Sequence, residues 1–303
     1  MTRPAGSATE QTTPRLARPW LALLVIGLGW GATGPFSKLA VSTGNHPIGV
    51  TFWNTAIGAV CLTAILLATG RRLPCDRRHL IFFMVCGLLG TALPNSLSYT
   101  AYQHLPIGVN VMVIALVPMA TMLIALPLGI ERLDPLRAAG LGLGTLAVLL
   151  IALPEASLPE PDQAIWVALP VITALAYAGE NIYISTSKPP GTSALTVICG
   201  LSWGALVLLT PAVIAADAWV DITRLGPPEQ AIIAISFVHM GAYFGFIWLI
   251  GQAGPIFASQ VGYVVTASGV ILGMALYGER HSPWVWAALA LMFAGLALVK
   301  PRQ

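Results

Sequence analysis

The stretch Trp20-Leu-Ala-Leu-Leu-Val-Ile26 recurs 146 residues later as Trp166-Val-Ala-Leu-Pro-Val-Ile172, with five of seven positions identical. A second motif, Glu131-Arg132-Leu-Asp-Pro135, recurs 148 residues later as Glu279-Arg280-His-Ser-Pro283. One short match would carry little weight in so apolar a chain. Two matches at nearly the same spacing indicate an internal duplication.

The composition of the chain is that of a protein solvated by lipid. Of its 303 residues, 56% are hydrophobic and only 9% are charged, whereas soluble domains carry about 25% charged residues. So few charges cannot cover a water-exposed surface. The net charge of +3 is too small to suggest a nucleic-acid partner. The sequence therefore predicts the lipid bilayer as a partner and no nucleic acid.

Ten apolar runs are long enough to cross a bilayer, which takes about 20 residues per helix. They are residues 20–42, 46–69, 80–103, 107–128, 136–153, 164–186, 193–216, 230–250, 255–277 and 283–300. The predicted fold class is an all-α polytopic membrane protein, with ten transmembrane helices arranged as two inverted five-helix repeats. Its predicted parts are a tail at 1–19, a first repeat at 20–153, a linker at 154–163 and a second repeat at 164–303.

The orientation of the helices follows from the basic residues, which accumulate in cytoplasmic loops. Twelve Lys and Arg residues fall on the side of the N-terminus and two on the other side, with Lys38 inside a span. Both termini are therefore predicted to be cytoplasmic, and the 154–163 linker external. Because each repeat has an odd number of spans, the repeats insert with opposite orientation. Such inverted repeats are typical of secondary transporters, whose binding site lies between the halves.

Further features follow one another in an order that resembles a known family. They are Trp30-Gly31 and Lys38 in span 1, Pro118 in span 4, Gly129-Ile-Glu131-Arg132 after it, Gly278-Glu279-Arg280 ending span 9, and the helix after Pro283. In this the chain resembles the ten-span EamA-type exporters of the drug/metabolite transporter superfamily. Thr266 departs from the pattern, because it stands where the second half would repeat Pro118.

The resemblance implies an inner-membrane protein that exports small organic metabolites, most commonly amino acids. It implies alternating access through a central cavity walled mainly by spans 1, 3, 4, 6, 8 and 9. Protons are a candidate coupling ion. The oligomeric state stays open.

Three ionisable residues lie inside the spans: Lys38, Glu180 and His239. A charge at the bilayer centre costs at least about 2.5–3.5 kcal/mol, so it usually faces the protein interior or a water-filled route. We expect Glu180 to be functional. His239 is as compatible with a structural role as with a functional one, and Lys38 could instead extend to the membrane interface.

Polar and aromatic residues also recur at helical spacing, such as Asn95 with Tyr99 and His239 with Tyr243. They offer hydrogen bonds to the polar end of a solute and rings for its apolar portion. The alternative is aromatic packing between helices. The candidate substrate-binding residues are Trp30, Asn54, Asn95, Tyr99, Tyr177, Glu180, His239, Tyr243 and Tyr263.

No catalytic residue, metal site or cofactor is predicted. The four cysteines have no CxxC spacing, and the HExxH motif of zinc hydrolases does not occur. The glycines of Gly200-x-x-x-Gly204 are interpreted as a surface for close helix packing. The Glu-Arg-x-x-Pro motifs are interpreted as marking the end of one helix and the start of the next. Two alternatives to transport remain: an intramembrane enzyme, and a membrane scaffold or receptor.

Overall fold

The computed structural model describes residues 13–130, 134–152, 165–280 and 283–298. Within these ranges the chain forms helices and turns, and no strand. A helix is present at each of the ten predicted spans. These helices are α1 (Thr13–Ser42), α2 (Pro47–Ala68), α3 (Arg77–His104), α4 (Ile107–Ala125), α5 (Pro135–Ala152), α6 (Ile165–Ser187), α7 (Ala194–Ala215), α8 (Pro227–Ala253), α9 (Pro255–Tyr277) and α10 (Pro283–Leu298). The Glu131-Arg132 motif and the 154–163 linker lie outside the described residues.

Eight of these helices are long and apolar enough to cross a bilayer, and α5 and α10 contain shorter apolar stretches, Ala138–Ala147 and Trp286–Gly295. Side-chain exposure on α1 shows which solvent the helices meet. Leu21, Val25 and Leu28 point outward on one face, while Leu23 and Ile26 are buried. An outer face of large aliphatic side chains is matched by lipid, and a buried face by neighbouring helices. The chain is a multi-pass membrane protein.

Three of the helices are interrupted. A π-helical turn, Leu88–Ala92, divides α3. The helix α4 is broken between Ile114 and Val117, next to Pro118. In α9 the break falls at Gln260, without a proline. The second half therefore has an interruption of its own, earlier in its helix than Thr266.

The contacts between helices follow a two-fold pattern. The helix α1 packs on α8 and α9, and correspondingly α6 packs on α3 and α4. The helix α3 packs on α7 as α8 packs on α2, while α2 pairs with α7 and α5 with α10. If each helix of one half is replaced by its counterpart in the other half (α1 by α6, α2 by α7, and so on), the list of packed helix pairs stays the same. This is the arrangement expected of duplicated halves.

Glycines allow α3 and α7 to approach closely. A Cβ at Gly204 would overlap the Phe83 carbonyl, and one at Gly200 would overlap the Phe83 ring. A Cβ at Gly87 would meet the α7 backbone in turn. The packing interpretation of Gly200 and Gly204 is confirmed.

The same segment, Gly200-Leu-Ser-Trp-Gly204, also matches the G-x-S-x-G pattern of hydrolase nucleophiles. That motif places its serine on a sharp strand-to-helix turn. Here the five residues lie inside α7, and the Ser202 hydroxyl donates to the Ile198 carbonyl at 2.7 Å. The segment is therefore a helix-packing surface and has no nucleophile geometry.

Glu279 joins three helices at one end of the bundle. Gly278, with φ of +64°, ends α9 in the left-handed conformation. The Glu279 carboxylate then accepts the backbone N–H groups of Ile107 (2.8 Å) and Gly108 (3.1 Å) at the start of α4. Lys38 of α1 pairs with the same carboxylate at 3.4 Å.

A carboxylate is favoured at a helix N-terminus, where unpaired N–H groups point outward. The sequence assigned Glu279 to the end of its own helix, but its side chain caps a helix of the other half. Lys38 correspondingly has a protein partner and does not need to extend to the membrane interface.

The close approach of α3 and α7 leads to a prediction on stability. Gly204→Ala places a methyl group against the Phe83 backbone, and such overpacking costs about 1–3 kcal/mol. We expect a lower Tm in detergent, measured by thermal unfolding. Gly241→Ala in α8 is the control, because a Cβ there meets nothing within 4 Å. Equal Tm values for the two variants would contradict this account of the packing.

Candidate functional site

A cavity of about 130 Å³ lies between the two halves. Its walls come from α1, α3, α4, α6, α8 and α9, the six helices that the family resemblance implied. Both halves contribute three of them. Seven of the nine candidate residues line it together: Trp30, Asn95, Tyr99, Tyr177, Glu180, His239 and Tyr243.

The carboxyl group of Glu180 is buried in the wall of this cavity. Its residue is 1% exposed, and the Tyr243 hydroxyl donates to Oε1. Gly90 lies opposite, in the π-helical turn of α3. A Cβ at Gly90 would overlap both the carboxyl group and the Tyr243 hydroxyl. A π-helical turn at a glycine therefore makes the space in which the carboxyl group is held, and such turns are frequent at functional sites.

Aromatic rings surround Trp30 beside this carboxyl group. Its ring centroid lies 5.2 Å from Phe246, 5.8 Å from Tyr243 and 6.0 Å from the His239 ring. The interplanar angles are 60–61°, close to the tilted geometries that aromatic pairs prefer. One wall of the cavity is thus a continuous aromatic surface contributed by α1 and α8.

Hydrogen bonds position the candidate residues of α3. The Tyr177 hydroxyl donates to Asn95 Oδ1 at 3.1 Å, which joins α6 to α3. Asn54 Nδ2 donates to the Tyr99 hydroxyl at 3.1 Å, which joins α2 to α3. Asn54 lies outside the main cavity and lines a smaller neighbouring one of about 30 Å³, whose wall also includes Asn95, His239 and Tyr243.

Several polar atoms around the cavity are buried without a hydrogen-bond partner among the described residues. They are Trp30 Nε1, Ser98 Oγ, Asn181 Oδ1 and His239 Nδ1. An unpaired buried polar group costs about 1–3 kcal/mol. These four atoms, on four helices around one cavity, are therefore available as hydrogen-bonding groups for a polar solute.

Tyr263, the ninth candidate, lines neither cavity. It is 2% exposed, and a Cβ on Gly144 of α5 would overlap its hydroxyl. The side chain therefore fills the gap that a glycine leaves in α5. Tyr263 therefore packs between helices, which was the alternative to a substrate-binding role.

Sequence reasoning did not select some of the lining residues. Ser98 and Phe246 lie one helical turn from Asn95 and Tyr243, so helical spacing could have found them. Gly90 carries no such signal, because its role depends on which side chain lies opposite.

The family resemblance is confirmed by comparison with known proteins. Residues 18–153 match the EamA-like transporter family. The chain is 26% identical to the uncharacterized inner membrane transporter YedA of Escherichia coli (strain K12), over 92% of this chain and 89% of that protein. It is 22% identical to a probable terminal-alkyne amino-acid exporter of Streptantibioticus cattleyicolor, over 95% of each chain.

A solved crystal structure has the same fold. It superposes with a TM-score of 0.68 over 93% of this chain and 96% of that one, at 17% identity. Such a likeness concerns the architecture alone.

The contrast between Tyr243 and Tyr263 can be tested with a matched pair of variants. Tyr243→Phe keeps the ring but removes the hydroxyl that donates to Glu180, and hydrogen bonds to charged groups contribute about 1.5–3 kcal/mol. We expect about a tenfold or greater loss of solute transport in proteoliposomes, together with a lower Tm in detergent, because the buried carboxyl group loses its donor. Tyr263→Phe should transport normally. Similar transport losses in both variants would show that neither hydroxyl has a specific role in the cavity.

Proposed function

We propose that this chain, whose residues 18–153 match the EamA-like transporter family, exports small organic metabolites through the cavity between its halves. Amino acids are the first class to test. The single observation behind this proposal is the cavity at the interface of the two repeats, with its buried carboxyl group and unpartnered polar atoms. A site in this position is typical of secondary transporters.

The proposed mechanism is alternating access by two inverted repeats, at residues 20–153 and 164–303. The two-fold pattern of helix contacts supports this division. If the halves insert with opposite orientation, exchanging their conformations turns an opening toward one side into an opening toward the other. The interruptions in α4 and α9 supply helix segments that can move separately.

The choice of amino acids rests on two observations. One relative is named a probable amino-acid exporter. The cavity also offers a carboxyl group for an ammonium and rings for an apolar side chain. An intramembrane enzyme, scaffold or receptor would bind such molecules without moving them across a membrane.

Glu180 is the proposed coupling residue. Lipid cannot solvate a carboxylate, so the group must be protonated, paired or facing water at each stage of transport. A carboxyl group that meets water first on one side and then on the other can carry a proton against the exported solute.

The transport proposal is tested with purified protein in proteoliposomes and a panel of labelled amino acids and related solutes. We expect flux of at least one solute, driven by an imposed pH gradient. Glu180→Gln should lower this flux about tenfold or more and abolish its response to the gradient. Glu229→Gln is the matched control, because it makes the same change at the buried start of α8. Normal transport by Glu180→Gln at every pH would make Glu180 structural, and no flux of any solute would contradict transport.

The proposed orientation has both termini in the cytoplasm. Thr43, exposed after α1, should then face outward, and Cys75, exposed before α3, should face inward. In cells expressing Thr43→Cys without the four native cysteines, we expect labelling by an impermeant thiol reagent. A protein that keeps Cys75 alone should remain unlabelled until the cells are opened. The reverse pattern would overturn the orientation.

A further inference from the structure

We propose that the cavity selects its substrates by an ammonium group, so that small organic amines in their cationic form are preferred to amino acids of the same carbon skeleton. This inference rests on the proposed transport function and narrows its substrate class. Three properties of the cavity lead to it: its charge, its aromatic wall and its size.

The described part of the cavity wall holds an acidic side chain but no Lys or Arg. Among the lining side chains that the structure describes, Glu180 is the one carboxylate and His239 is the one basic group. Lys38, the basic residue on α1, is paired with Glu279 at the end of the bundle. A buried carboxylate is costly unless a cation pairs with it. A ligand that carries an ammonium supplies the opposite charge that the protein does not place there.

The aromatic wall suits the same group. Trp30 lies within 5.2–6.0 Å of the rings of Phe246, Tyr243 and His239, and Tyr243 contacts the carboxyl group itself. The faces of Trp and Tyr rings attract ammonium groups electrostatically, and the attraction is strongest where water is excluded. Rings beside a single carboxylate form the combination by which proteins bind organic cations.

A second ionic group on the ligand would find no matching charge. The α-carboxylate of an amino acid would share the cavity with Glu180, and like charges repel strongly where the dielectric constant is low. The unpartnered polar atoms available to it include Trp30 Nε1, Ser98 Oγ and the imidazole Nδ1 of His239, and none of these groups carries a permanent positive charge. Removing the carboxylate from the ligand should therefore strengthen binding.

The volume limits the apolar part of the ligand. A cavity of about 130 Å³ is close to the engineered cavity of about 150 Å³ that admits benzene. A solute of about six non-hydrogen atoms is therefore of suitable size, and isoamylamine meets this requirement.

The test measures binding to the purified full-length chain by isothermal titration calorimetry, without any transport step. The ligands are isoamylamine, its neutral isostere isoamyl alcohol, the anion isovalerate, and leucine. We expect the amine to bind about tenfold more tightly than each of the others, which corresponds to about 1.4 kcal/mol. In Glu180→Gln the amine and the alcohol should bind alike, whereas Glu229→Gln should keep the preference of the parent.

Each contrary result overturns the proposal. These are isovalerate, leucine or the alcohol binding as tightly as the amine, an unchanged preference in Glu180→Gln, and no binding of the amine at about millimolar concentration. Should Glu180→Gln fail to fold, Phe246→Leu removes one ring and should weaken the amine more than the alcohol. Amine binding without flux in proteoliposomes would instead contradict the proposed function alone.

Discussion

Lipid offers no hydrogen bonds, so a polar group placed within the bilayer is costly unless the protein or a water-filled cavity inside it supplies a partner. The architecture of this chain depends on that constraint. The Glu180 carboxyl group is held by the Tyr243 hydroxyl in the space above Gly90. The Glu279 carboxylate is held by backbone N–H groups of α4 and by Lys38. One of these acids lies in the central cavity, and the other joins helices at the end of the bundle.

The same constraint makes the two halves interdependent. Because α1 packs on α8 and α9, and α6 packs on α3 and α4, neither half encloses the cavity by itself. Close packing and hydrogen bonds are among the contacts that join the halves. Glycines let α3 and α7 approach within backbone contact, while Thr266 of α9 donates to the Val111 carbonyl of α4 at 2.9 Å. The cavity is the part of this interface where side chains do not fill the space.

Much of the fold was predictable, because hydropathy over about 20 residues is a local property. Candidate residues were harder to place. Tyr243 and Tyr263 are both tyrosines in apolar runs, yet one contacts Glu180 and the other fills the gap at Gly144. Helical spacing shows which residues share a face, but not which neighbour that face meets. The break at Gln260 also changes which residues of α9 share a face. No proline at that position indicates the break in the sequence.

The sequence by itself determined the lipid environment, the series of apolar helices and the duplication, since these depend on composition and repetition along the chain. Only the tertiary structure decided which polar groups meet. Asn54 reaches Tyr99 across 45 positions, Tyr243 reaches Glu180 across 63, and Lys38 reaches Glu279 across 241. Such pairs depend on how helices rotate and cross. Close packing between segments that are distant in sequence sets this geometry. A local pattern of residues therefore does not reveal it.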